Sequence, residues 1–593
     1  MSARNSLRIP EKPILFNMMR MVICVSREQM QIPMSLTTLP ERHSGTLLTV
    51  LSALVAKPII RCAALLAVTL CVASCGGGGG TASAGTSSGG STSGGNTPSS
   101  GSTITSGITY TPGVFLPYST FAAQCAAPRS GTDPVTGKPW PDRQGSLAAE
   151  NHWLRAWTHD LYLWFDEVPD RDPGLSSSTA AYFDLQKTSA VLASGQAKDR
   201  FHFTYSTAEW QSLSQSGVSA GYGIDWDIVA DRPPRRIVVP YVEPESPAGY
   251  VHVGRGAEVV FVDGVDAVND NTTAGIAKIN AGLFPSRVGE LHSITLRPRG
   301  ATGTTTYTWA AANVTRNPVP IVRSLDTPAG RVGYLLFNDH IATAEKALVD
   351  AVTQLKAAAV QDLVLDIRYN GGGFLDIANE LAYMIAGPVR TAGRVFERIQ
   401  FNSRYPSTDP VTGRALAPDP FFSTTQGFGQ LPSGQALPSL GLSRVYVLTS
   451  PGTCSASESI LNALRGIGVE VVQIGGTTCG KPYGFYPADN CGTTYFSIQF
   501  RGVNDLGFGE YAEGFSATRT TGAAQANLPG CGVADDFTHD LGDTAEAQFA
   551  AALAYRSGAA CPAVTAGAEA AALPGGLSLQ PPPAPWRRNR ILR

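Results

Sequence analysis

Charge is scarce in this chain. Of its 593 residues 16% are Asp, Glu, Lys or Arg, and 45 basic residues meet 47 acidic ones for a net charge of -2. That balance removes any global electrostatic argument for binding nucleic acid. With 43% apolar residues the chain is not a highly charged disordered polymer either. No His, Cys and Asp cluster shows zinc spacing, so no metal and no cofactor is expected. The apolar run Cys62–Val72 is too short to span a bilayer as a helix. Lysine is sparse, and the ten cysteines are few for the length. Glycine and proline are not: 63 and 41 of them point to many loops and at least one linker. A length of this kind allows three or four domains and a substantial core.

Lys57 and Arg61 precede the apolar run, which fits the h-region of an export signal. Val72-Ala73-Ser74-Cys75 resembles a bacterial lipobox, with Cys75 as the lipidated residue and an envelope location, lipid-anchored to a membrane. Gly76 after it, by resemblance to bacterial sorting signals, implies the outer membrane. Residues 1–54 ahead of the signal fit either a long n-region or a start near Val55 or Ala56. Residues 76–107, nearly all Gly, Ser, Thr and Ala, read as a flexible tether. Six cysteines follow: Cys125, Cys454, Cys479, Cys491, Cys531 and Cys561. An even number after an export signal predicts disulfides, with Cys479–Cys491 the favoured local pair.

The organisation expected is an N-terminal extension and signal (1–75), the linker (76–107), a helical region (108–215), a small β-module (216–318), an α/β core (319–562) and an Ala/Pro-rich tail (563–593). Residues 146–167 carry Trp153, Trp157, Leu161, Trp164 and Phe165 at helical spacing; His152 and His159 there are read as structural. Further helices are expected at 178–194 and from Ser206 or Thr207 to Leu213. In the module, strand-like runs at 236–241, 258–262 and 291–296 flank the Asp263-Gly264 turn and a helix at 273–281. With Gly221-Tyr222-Gly223-Ile224 and Pro244–Ala248, this pattern resembles a PDZ domain. The resemblance implies that residues 221–224 hold a peptide carboxylate while the peptide pairs with a strand edge.

From Gly330 apolar strands alternate with helices: strands at 331–337, 364–367, 445–448 and 469–474, and helices at 342–359, 377–385 and 457–465. That is the pattern of a parallel sheet covered on both faces, with ligand sites at the carboxyl ends of strands. Three motifs fall at such ends. Asp366-Ile367-Arg368-Tyr369-Asn370-Gly371-Gly372-Gly373 offers backbone N–H groups to an anion; no Gly-Lys-Ser/Thr continuation supports a phosphate loop. Thr453-Cys454-Ser455-Ala456-Ser457-Glu458 places Ser455 where a helix begins, as a nucleophile or as the N-cap of a capping box with Glu458. Gly480-Lys481 follows the next strand, and a shielded lysine can deprotonate a serine hydroxyl.

Together these segments resemble the C-terminal-processing (tail-specific) serine peptidases over roughly residues 145–558. The resemblance implies a crotonase-like (ClpP-like) α/β core behind a PDZ-like module. It implies a Ser455–Lys481 dyad, with Gly372 and Ala456 N–H groups as the oxyanion hole. It makes Asp366, Arg368, Asn370, Gly373 and Glu458 supporting residues, and unfolded or C-terminal polypeptide segments the substrate. Where some members support the lysine with Gln four residues on, this chain has Phe485. Cys454 and Cys479 beside the dyad suggest a disulfide-braced variant, and Tyr483–Tyr486 a wall of the substrate groove. His202 and His340 are the alternative bases. Two other classes remain: a catalytically silent peptide-binding protein, and an esterase or acyltransferase using the same serine. Ser455 does not sit in a Gly-x-Ser-x-Gly elbow, which counts against a common hydrolase of that kind.

Overall fold

The computed structural model describes residues 109–518, 526–563, 577–579 and 589–591. The export segment, Cys75 and the Gly/Ser/Thr linker lie outside them. Among the described residues no helix is long and apolar enough to cross a membrane.

The core is a seven-stranded sheet: β1 (Ile321–Thr327), β2 (Gly330–Leu336), β3 (Asp362–Asp366), β4 (Arg444–Thr449), β5 (Glu470–Gly475), β6 (Ser516–Thr518) and β7 (Asn527–Cys531), in the order β1-β2-β3-β4-β5-β7-β6. All neighbours are parallel except β1 and β2. The expected parallel sheet is therefore mixed, with an antiparallel edge strand fed by the tight return at Ala329-Gly330.

The strands are apolar throughout because both faces are covered. Leu335, Leu363, Leu365, Val445, Val447 and Val471 face one layer. That layer holds Leu348 of α1 (Ala344–Ala357), Leu381 of α2 (Leu375–Thr391) and Ile460 of α3 (Ala456–Gly466). Their sequence neighbours Tyr334, Leu336, Val364, Tyr446, Leu448 and Val472 face Phe549 of α4 (Ala547–Arg556) on the other side. Period-two alternation thus separates two cores. Gly387, with φ 74° and ψ 171°, breaks α2 just before Pro388; the straight part is the segment expected from the sequence.

The small module is an antiparallel sheet in which Thr305–Ala310, Leu291–Arg297, Glu258–Val262, Arg236–Val242 and Ile224–Ala230 are successive neighbours, with Val265–Asp266 paired to Glu258–Val262. A helix, Thr273–Leu283, is capped by Thr272, whose side chain accepts the Gly275 N–H. Asp263 and Gly264 both have positive φ (48° and 77°), as a two-residue hairpin turn requires. The module has its own core around Trp226, Ile237, Val239, Val262, Ile279 and Ile294.

The N-terminal helix is shorter than the aromatic periodicity predicts. It spans Leu147–Leu161 and ends as Tyr162 turns extended. Trp153, Leu154, Trp157 and Leu161 fill one cluster. Trp164 and Phe165 leave the helix to flank a second one around Tyr162, Phe201, Cys454 and Ile498. His159 stacks on Phe115 at 3.5 Å, a structural role as expected. The helix expected at 178–194 covers only Thr179–Asp184, and a turn at Gly195 (φ 82°) follows. The next helix, Thr207–Ser216, runs past Leu213 until Gly217 ends it in the left-handed conformation.

The disulfides are Cys125–Cys491, Cys454–Cys479 and Cys531–Cys561. The Cys479–Cys491 pair is thereby corrected. Cys491 sits at a hairpin turn between Ala488–Asn490 and Thr493–Phe496 and meets Cys125 across 366 residues of sequence, which leaves Cys479 to its partner in the serine loop.

Candidate active site

The three motifs converge at the carboxyl ends of β3, β4 and β5. After β3 the chain turns at Tyr369-Asn370 and runs into a short strand, Gly372–Phe374. After β4 a turn delivers Ser455 to the N-cap of α3. After β5 the chain loops through Cys479 to Lys481.

Ser455 is fully buried and holds φ 63°, ψ -114°. That is a costly conformation for a residue with a Cβ. The surroundings enforce it: Cys454 N–H donates to Asn370 O at 3.1 Å, Cys479 N–H to Thr453 O at 2.9 Å, and Ser457 Oγ to Asn370 O at 3.0 Å. Among the described residues, the buried Ser455 Oγ makes no hydrogen bond of good geometry. Its position at the N-cap of α3, with Glu458 at the third helical residue, also matches a capping box.

Glu458 ties the serine loop to the lysine loop. Its fully buried carboxylate accepts the Ser455 and Lys481 N–H groups at 2.8 Å each on Oε2, and the Gly480 N–H at 2.8 Å and the Thr478 hydroxyl at 2.5 Å on Oε1. Burial pushes its pKa above the usual carboxyl value, and these donors pull the other way. The capping-box reading captured the first of these bonds; the other three come from a segment twenty residues on. The Cys454–Cys479 disulfide joins the same two loops.

Lys481 is fully buried. Its Nζ lies 4.2 Å from the centre of the Phe485 ring and 5.0 Å from that of Phe201. Phe485, four residues on from the lysine, therefore contributes an aromatic face against the ammonium group.

The motif at 366–373 divides into a buried ionic base and a backbone strand. Arg368 has no exposure. It donates from Nε and Nη2 to Asp366 at 3.0 and 2.9 Å, from Nη1 and Nη2 to Glu546 at 2.7 and 2.9 Å, and from Nη1 to Asp535 at 2.8 Å. Asp366 also accepts Tyr334 OH at 2.6 Å. Burial pushes Asp535 upward, but Arg368, Arg255 and the Tyr369 hydroxyl together hold it below the ordinary carboxyl value. These residues anchor the loop. Asp535, Glu546 and Arg255 stand in no motif, and nothing local marks them.

Asn370 Oδ1 accepts the Gly372 N–H and meets His340 Nδ1, both at 2.9 Å, and Asn370 Nδ2 donates to Phe337 O at 3.0 Å. The Gly372 N–H, expected to face an oxyanion, is thus engaged by Asn370 in this structure. Gly373 pairs with His340, and a Cβ there would lie 2.3 Å from His340 O, so only glycine fits. Ala456, the other expected donor, is the first residue of α3, where N–H groups lack intrahelical partners. Of the alternative bases, His340 is lowered by burial to about 3 and His202 to about 4. His202 stacks on Phe183 and points Nε2 at Phe183 O at 2.8 Å.

The segment Gly221–Ile224 leads into Ile224–Ala230, the edge strand of the small module. Tyr222 is buried, with its hydroxyl donating to Gly282 O at 3.1 Å. Gly223 (φ 81°) sits so close to Ser246 that a Cβ would clash at 2.1 Å. The module reaches the motif through Arg255, which donates to Tyr369 OH and to Asp535 Oδ1, both at 2.6 Å.

Residues 331–484 match the family model described as peptidase family S41. Similar curated proteins include a carboxyl-terminal-processing protease of Picosynechococcus sp., 24% identical over 274 residues (45% of this chain, 56% of that protein). Another is carboxyl-terminal-processing peptidase 3, chloroplastic, of Arabidopsis thaliana, 24% identical over 316 residues (52% and 53%). The chain spans about half the length of these relatives. Among solved structures, a putative S41 protease from Bacteroides fragilis shares the fold at TM-score 0.50 and 22% identity, covering 71% of this chain and 99% of that one.

Proposed function

Because the chain carries a peptidase family S41 domain, we propose that it is a serine endopeptidase acting on unstructured or C-terminal polypeptide segments, with Ser455 as nucleophile and Lys481 as base. The observation that carries this reading is the junction of the two loops: one buried carboxylate, Glu458, holds the backbones of Ser455 and Lys481 together.

In this reading Lys481 Nζ takes the Ser455 proton as Oγ attacks the peptide carbonyl. A lysine removed from solvent is shifted toward its neutral form, which a base requires. The tetrahedral oxygen is stabilised by N–H groups at the start of α3, with Ala456 the first donor. Gly372 becomes the second when its N–H turns from Asn370 Oδ1 toward substrate. The amine leaves, and water hydrolyses the acyl-enzyme. The strand–helix core corresponds to the crotonase-like part of this reading. The small module corresponds to the PDZ-like part, in which a peptide would pair alongside Ile224–Ala230, the last strand of its sheet. Lipidation at Cys75 and an outer-membrane, envelope-facing location complete the proposal and rest on residues 57–107 alone.

The test is cleavage of an unstructured polypeptide by wild type, Ser455→Ala, Lys481→Ala and Lys481→Arg, with circular dichroism of each. All three variants should keep the fold and lose turnover. Arg does not rescue, since it stays protonated. Full cleavage by folded Ser455→Ala would reject the nucleophile; full cleavage by Lys481→Ala would move the base elsewhere.

A further inference from the structure

The chain's own C-terminal segment lies in the groove between the two catalytic loops. Asn589–Ile591 pairs in parallel with Gly372–Phe374, matching Asn589 to Gly372, Arg590 to Gly373 and Ile591 to Phe374. On its other side Ile591 bridges Phe485, again in parallel. The segment is therefore a middle strand, with the glycine motif on one flank and the continuation of the Lys481 loop on the other. Ile591 is 2% exposed and belongs to the apolar cluster that includes Phe374, Ala456, Phe485 and Phe496.

The same tail has a second anchor. Leu579 is 1% exposed in the core of the small module, and its N–H donates to Asp231 O at 2.8 Å. Arg235 Nη2 donates to Leu577 O at 2.7 Å, and Leu577 N–H to Asn271 Oδ1 at 2.6 Å.

We propose that residues 589–591 are a built-in pseudosubstrate: they fill the strand position that a polypeptide must take beside Ser455, and the pocket holding Ile591 is the enzyme's side-chain specificity pocket, suited to an aliphatic residue. This rests on the peptidase reading. The argument is geometric. A protease that binds extended chains needs a free strand edge next to its oxyanion donors. Here that edge is Gly372–Phe374, and the tail already pairs with it. An aliphatic side chain docked between Phe374 and Phe485 gains by leaving water, and tethering raises its effective concentration over any substrate in trans. The protein is thus held at low activity, and substrates compete with residues 589–591.

The experiment compares full-length wild type with full-length Ile591→Asp, which keeps the Leu579 anchor. Cleavage of an unstructured polypeptide is measured with and without a synthetic peptide of residues 577–593, or the same peptide carrying Ile591→Asp. The variant should show a KM lower by about tenfold or more with kcat little changed. The peptide with Ile591 should inhibit it competitively, and the Asp peptide should not. Equal KM in the two active proteins, or equal inhibition by the two peptides, would overturn the proposal. Binding of the fluorescent peptides to full-length Ser455→Ala/Ile591→Asp is read separately. Selective binding of the Ile591 peptide while no variant cleaves anything would leave the tail contact standing and sink the peptidase reading. Binding of neither peptide would sink the tail.

Discussion

Cys454 and Cys479 are covalently joined, and their neighbours are Ser455 on one side of the bridge and Gly480-Lys481 on the other. The disulfide spans the two loops that the proposed chemistry needs in register, and it is packed among Tyr162, Phe201 and Ile498.

Opening this bridge should disable the site before it unfolds the chain. Cys454→Ala/Cys479→Ala frees a loop closed over 25 residues, a loss of about 3 kcal/mol. The expected outcome is a lower melting temperature, retained circular dichroism and a fall in peptide turnover. Undiminished turnover in the double variant would show that the brace is irrelevant to catalysis.

Glu458→Gln tests the hub. The amide keeps one acceptor oxygen but places a donor where two N–H groups point. Hydrogen bonds to a charged acceptor contribute about 1.5–3 kcal/mol each, so losing two should cost several kcal/mol locally and reduce kcat by about a hundredfold or more. Steady-state kinetics with thermal melting checks this. A variant as stable and as active as wild type would remove Glu458 from any positioning role.

A third expectation concerns pH. Glu380 of α2 and Glu345 of α1 both accept the Gln426 N–H, at 2.8 and 2.7 Å. Burial first, then the Glu345 charge, raises Glu380 from 4.5 to about 9. The unfolded chain ionises this group near 4.5 and the folded chain resists until about 9. Its contribution to stability therefore declines as pH rises through that window. Glu380→Gln, which imitates the protonated form, should match wild type near the acid end. It should exceed wild type progressively toward pH 9, by on the order of 6 kcal/mol. Parallel stability curves for the two proteins across that range would refute the assignment.

What the sequence makes legible is what local physics determines. Strands β3, β4 and β5 are continuous apolar runs because both faces are covered, and the runs show it. The turn at Asp263-Gly264 and the serine at the start of α3 follow from adjacent residue types in the same way. Long-range pairing leaves no such trace. Spacing favoured Cys479–Cys491, whereas Cys491 lies across a hairpin from Cys125. Glu458 looked like a local cap because its bonds to Gly480 and Lys481 arise only when β5 folds beside β4. Glu546 and Asp535 carry no motif, since their requirement is a buried arginine from another segment. The tail offers no periodicity that would mark Leu579, beside a run of prolines, or Ile591, among arginines, as buried.

Arg255 has a mechanical consequence. It is rooted in the small module, where it also donates to Pro240 O, yet its remaining donors end on Tyr369, Asp535 and the carbonyls of Asp536 and His539. Swinging the module outward would strip Arg255, a residue 8% exposed, of those partners, at a cost of about 3–5 kcal/mol. The joint is therefore stiff rather than loose. Because Tyr369 immediately precedes Asn370, whose side chain holds Gly372, Arg255 ties the module to the stretch of backbone that leads into Gly372–Phe374.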